Sequence, residues 1–180
     1  WDPSPNDRVE VITVKDSSVY VAGSFSSIGG QSRDYIAKLA AGGTGAADAT
    51  WNPDPNGFVS AIAVSGDGNS VYVGGNFFSI GGQLFWYYIA KLSATGTGAA
   101  DATWNPNADG AVFTLTVSDS SVYAGGGFFN IGGQARSRIA KRDAAGKGAS
   151  DAAWDPNSDT NISELIVSGS EVYVWGRFSS

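Results

Sequence analysis

A chain of 180 residues can bury a sizeable core, and its 25 glycines beside 12% aromatics describe a turn-rich folded protein, not a disordered acidic tail. A net charge of −6, with 11 scattered basic residues, offers no basic stripe for phosphates, so neither nucleic acid nor an anionic membrane surface is expected as partner. The chain has no Cys and no His, which excludes disulfides, thiolate catalysis, histidine-activated serines and the common zinc and copper ligand sets.

From the first residue, Trp1-Asp2-Pro3 opens an Asx-Pro turn, and Val9 to Val14 alternates apolar and polar residues as a first strand does. A second strand begins at Val19-Tyr20. The run Ile28-Gly29-Gly30-Gln31 follows, then a third strand over Tyr35 to Leu39 and a short fourth around Ala49-Thr50-Trp51. At Trp51 the series starts again. The unit recurs with Trp-Asx-Pro at Trp51, Trp104 and Trp154, Val-Tyr at Val71, Val122 and Val172, Gln83 and Gln134 closing Ile-Gly-Gly-Gln, and Ile-Ala-Lys at Ile89 and Ile139. The units are 1–50, 51–103, 104–153 and a partial 154–180 of one repeat domain. The middle unit is longer by three residues, two in Ser65 to Ser70 and one between Gln83 and Ile89, both turn-rich stretches. Apolar spans of four, such as Ala61 to Val64, are strand-sized and far below a membrane span.

Four short strands in a period near fifty predict an all-β fold of β-propeller blades, each a four-stranded antiparallel sheet. Three and a half repeats make an incomplete ring, and the expectation is a piece of a longer repetitive chain. A β-solenoid is the alternative, ranked second because its coils are usually shorter. Gly-Gly after the second strand is expected where backbones crowd, and Phe25, Phe77, Phe128 and Phe178 are expected to cap the seams between blades. Two departures stand out. Trp175 occupies the place of Ala22, Gly74 and Gly125, and Leu84-Phe85-Trp86-Tyr87-Tyr88 replaces polar segments at Ser32 to Tyr35 and Ala135 to Arg138.

The run from Val71 through Gly74-Gly75-Asn76-Phe77 to Ile80-Gly81-Gly82-Gln83, then Ile89-Ala90-Lys91-Leu92 and Asp101-Ala102-Thr103-Trp104-Asn105-Pro106, resembles the delta-60 repeat β-propeller family, with kelch-like blades. The resemblance spans essentially the whole chain. It implies a propeller and a secreted or cell-surface setting in a bacterium, and it transfers no catalytic motif.

Asp48, Asp101 and Asp151 recur three residues before each Trp, which fits a turn cap better than acid–base catalysis, since an active site is normally assembled once. The Asx-rich turns carry Asp2, Asp7, Asp54, Asp109, Asp155 and Asp159. Oxygen-rich loops suit calcium, although none has the EF-hand spacing, and ordinary turn chemistry explains most of them. Phe85, Trp86, Tyr87 and Tyr88 are the candidate ligand site, either a sugar-stacking platform or a partner-binding patch or, on the plainer view, a strand buried between blades. Asn161-Ile162-Ser163 is a glycosylation sequon of little weight here.

The expected function is a non-enzymatic scaffold or adhesion module without an obligatory cofactor. Its partner would be a protein or a glycan, or it would self-associate through exposed blade edges. A lectin-like propeller is the alternative, and a hydrolase or lyase with its site in further blades is a third reading.

Overall fold

The computed structural model describes residues 1–179. Blade one contains β1 (Val9–Lys15), β2 (Ser18–Gly23), β3 (Ser27–Ile28), β4 (Gln31–Ser32) and β5 (Ile36–Ala40). Blade two repeats the order with β6 (Phe58–Val64), β7 (Ser70–Asn76), β8 (Ser79–Ile80), β9 (Gln83–Leu84) and β10 (Ile89–Ser93). Blade three has β11 (Val112–Ser118), β12 (Ser121–Gly126), β13 (Asn130–Ile131), β14 (Gln134–Ala135) and β15 (Ile139–Asp143). Blade four has β16 (Ile162–Ser168) and β17 (Glu171–Gly176). No helix occurs among the described residues.

Each blade is its own antiparallel sheet, ordered β1-β2-β5, β6-β7-β10, β11-β12-β15 and β16-β17, and no ladder joins one blade to the next. Blades meet face to face, with the first strands of successive blades in contact: β1 on β6, β6 on β11, β11 on β16. That arrangement is the propeller one. A solenoid would pair its coils in one continuous sheet, so that alternative falls.

The fourth strand expected at Ala49-Thr50-Trp51 is not formed. A single bridge, Leu39 to Ala47, takes its place, repeated at Leu92–Ala100 and Arg142–Ser150. The cause is local. The Asp48 carboxylate accepts from the backbone N–H groups of Thr50 (3.0 Å) and Trp51 (3.2 Å), which turns the chain before a strand can extend. The strict alternation read in the first strand is also corrected. A bulge at Glu10, Ser60, Phe113 and Ser163 sets two residues against one, so the apolar residues on either side of it face opposite ways, Val59 into one seam and Ala61 into the next. The short hairpins β3–β4, β8–β9 and β13–β14 turn on the glycine pairs, for instance Gly29 and Gly30 at φ 60° and 79°.

The seams hold the core. One cluster joins Tyr20, Ala22 and Ile36 of blade one to Trp51, Val59, Ile62, Val71 and Phe77 of blade two. The next joins Ala61, Ala63 and Tyr72 to Trp104, Val112, Leu115 and Phe128. A third, smaller one joins Ile139 and Tyr123 to Ile162, Leu165 and Trp154. Each Trp wedges edge-on against the Tyr of the preceding blade, with ring centroids 5.5, 5.2 and 5.5 Å apart. Trp51 and Trp104 donate their indole N–H groups to the Ser93 and Asp143 carbonyls (2.9 Å each), so each ring also closes its own blade. Phe25, Phe77 and Phe128 are buried as expected, whereas Phe178 lies largely exposed.

Glycines mark the closest approaches. A Cβ on Gly74 would come within 2.6 Å of Val112 Cγ1, and one on Gly125 within 2.6 Å of Ile162 Cγ2. The crowding expected at this position is therefore real. Trp175 fits there only because its face of blade four meets no further blade among the described residues, and it is 48% exposed.

Candidate functional site

Antiparallel pairing decides which loops share an end of the stack. Val9 pairs with Gly23 and Ala22 with Ile36, so the start of a blade's first strand, the end of its second and the start of its third lie together. The connection carrying the Ile-Gly-Gly-Gln hairpin therefore sits at that end in blades one to three, beside the Trp-Asx-Pro linker. The tight β1–β2 turn lies at the other end.

At this end a repeated clamp holds the loop tips. Asn6 accepts through Oδ1 from the N–H groups of Ser26 and Ser27, Asn56 from Phe78 and Ser79, and Asp109 from Phe129 and Asn130. Asp159 repeats it with the Ser179 N–H (3.3 Å). Desolvation alone would raise Asp109, but the hydrogen bonds from Asn130 and Phe129 outweigh it and hold the carboxyl below its usual range.

The six aspartates considered for calcium fall in separate turns on four blades. Asp2 accepts from Ser4 N–H and Oγ, and Asp7 from Arg8 N–H. Asp54 takes a left-handed turn position at φ 48°, and Asp155 pairs with Arg136 at 3.3 Å. Among the described residues no three His, Cys, Asp or Glu side chains converge. Asp2 and Asp7 thus act within their own turns, whereas Asp109, Asp155 and Asp159 hold segments elsewhere in the blades.

The recurrent Asp48, Asp101 and Asp151 belong to another repeated group at the seams. Lys38, Lys91 and Lys141 lie 3.8, 3.5 and 3.0 Å from them, and the same ammonium groups stand 5.9, 6.0 and 5.9 Å from the ring centroids of Tyr20, Tyr72 and Tyr123. Tyr72 donates to the Ala144 carbonyl (2.9 Å), and burial, helped by nearby carboxylates, pushes its phenol up to about 12. Burial works against ionisation at Asp48 and Asp101 too, but the turn N–H groups and the lysines win and lower both.

The aromatic run is not a buried strand. Beyond Leu84 it is irregular, and Phe85 and Tyr88 have φ of 62° and 64°. Tyr88 shares that conformation with Tyr35 and Arg138, so it belongs to the fold; Phe85 does not, being the extra residue of blade two. Leu84 and Phe85 are each 71% exposed. Phe85, Tyr87, Tyr88 and Phe78 form a ring cluster with centroids 5.9–6.4 Å apart. Trp86, by contrast, turns inward against the seam between blades one and two, and its Nε1 is buried with no hydrogen-bond partner.

Trp86 occupies the place of a buried arginine. The Arg33 guanidinium donates to the carbonyls of Asp48, Ala49 and Trp51, and Arg136 to those of Asp151 and Ala152, bracing the linker to the next blade. Trp86 supplies no such brace to the linker at Asp101 to Trp104. Sequence reasoning missed Phe78, and with it Tyr35 and Phe58 (4.9 Å apart across the first seam) and Phe129 under Arg138 (4.5 Å). The signal was available, since Phe78 and Phe129 directly follow the repeated Phe77 and Phe128.

Residues 15–45 match the family described as a β-propeller domain of unknown function (DUF5122). No curated protein matches the chain.

Proposed function

We propose that this chain is a non-enzymatic β-propeller module of a secreted or surface protein, of the delta-60, kelch-like kind, that binds its partner through the aromatic end of the stack. The observation that supports this most is the loop of blade two. Blades one and three fill the same loop with polar residues and a bracing arginine. Blade two instead spends 71% exposed Leu84 and Phe85 on solvent and leaves a buried indole N–H without a partner, neither of which serves folding. Adhesion or assembly is the matching role, and no cofactor is needed for it.

The test is a graft. Replacing Leu84 to Tyr87 with the blade-one segment Ser-Arg-Asp restores a loop that this fold already accommodates. Fluorescently labelled chain should be retained on isolated bacterial envelopes, and the graft should be washed off. Equal retention of both would overturn the assignment of binding to this end.

A further inference from the structure

Resting on the same aromatic end, we infer that its ligand is a neutral pyranose oligosaccharide, held on the blade-two loop. Three features converge there. The first is flat ring surface: Phe85 and Phe78 present exposed faces, and the half-buried Tyr87 and Tyr88 back them within 6.4 Å. The C–H face of an equatorially substituted pyranose stacks on such rings.

The second is charge. From Asn76 to Ala90 the chain has no Asp, Glu, Lys or Arg, whereas the equivalent loops carry Arg33 and Asp34 in blade one and Arg136 and Arg138 in blade three. An uncharged patch on a chain of net charge −6 gives no attraction to an acidic polymer and no counter-charge for a basic one.

The third is hydrogen-bonding capacity. The side-chain amides of Asn76 and Gln83 make no hydrogen bond within the described residues, and they stand two residues before Phe78 and Phe85 in the chain. Each offers a carbonyl acceptor and an NH₂ donor, the pair that sugar hydroxyls use. A protein partner would be met better by a wider apolar surface than by a few rings edged with uncommitted amides.

The loop itself is preset. Asn56 fixes Phe78 through the N–H groups of Phe78 and Ser79 (2.8 and 3.0 Å), and the one-residue insertion holds Phe85 outward at φ 62°. Ordering entropy is therefore largely settled before a ligand arrives.

Titration of the full chain with cellohexaose and laminarihexaose, followed by calorimetry and intrinsic fluorescence, tests the inference. Both wild type and a Lys91→Gln control should bind at least one hexamer. Phe85→Ser should weaken binding about tenfold, as loss of one stacked ring does, and the Ser-Arg-Asp graft should abolish it. Circular dichroism melting verifies that the graft is folded. If neither hexamer binds wild type while the graft still loses envelope retention, the sugar assignment fails and the aromatic-end reading survives. If the hexamers bind wild type and graft alike, the sugar site is elsewhere and the inference is overturned.

Discussion

Arg142 is fully buried where blades one and two have Leu39 and Leu92, and Ser150 faces it where they have Ala47 and Ala100. The guanidinium donates to Ile131 O, Gly148 O and Ser150 Oγ, has no carboxylate within ion-pair reach among the described residues, and keeps an unpartnered Nε. Burial, with the like charge of Arg136, lowers it to about 10. An unpaired buried charge is costly, so the double variant Arg142→Leu, Ser150→Ala should stabilise the chain by about 1–3 kcal/mol in urea unfolding. The same experiment grades the wedges. Trp104, fully buried, should cost about 3–5 kcal/mol as Trp104→Ala, while Trp1, 58% exposed, should cost under about 1 kcal/mol. The Trp spacing announced these wedges in the sequence. The Leu-to-Arg exchange carried no such signal, because a lone arginine in a strand reads as a solvent-facing residue until its bridge partner is known.

At the level of the strands, the blade was legible where apolar residues recur at short range. Val9 to Val14, Val19-Tyr20 and the Ile-Ala-Lys-Leu strand were all placed within a residue or two. What alternation could not show was the bulge at Glu10 and its equivalents, since a two-against-one register leaves no mark on residue type. The expected fourth strand does not form because Asp48 caps a turn, a hydrogen bond invisible in a hydrophobic pattern. The seams make a clear prediction. Gly74→Ala puts a methyl within 2.6 Å of Val112 and should cost about 1–3 kcal/mol by overpacking, whereas Trp175→Gly should change stability by less than about 0.5 kcal/mol. Thermal melts of the two variants measured together give the comparison. For the candidate site, the unusual composition of Leu84 to Tyr88 was readable; which ring points outward was not, because it depends on the inserted residue and its positive φ.

Across the whole molecule, acid should be the weak side. Asp48, Asp101, Asp109 and Asp151 are all held below the usual carboxylate range, and Asp67 falls to about 2 through hydrogen bonds from Ser65 and Asn69. A folded pKa below the unfolded value of about 3.9 gives stability that is complete above that pH and disappears as the pH falls through the folded value. Urea midpoints should therefore be flat from about pH 7 to 5 and decline between about pH 4 and 2. Asp101→Asn, which removes the charge beside Lys91 yet keeps an oxygen for Thr103, should make that decline shallower.

The indole of Trp175 also limits how these units can be multiplied. Copying the pattern forward would bring a valine or isoleucine, the counterpart of Val59, Val112 or Ile162, onto a place that holds only alanine or glycine in the other three units. Any sheet laid on that side must come in tilted, shifted, or carrying a smaller residue at the point of contact. Units two and three are thus interchangeable tiles in a way that unit four is not, and a designer joining copies end to end would have to shave that one side chain first.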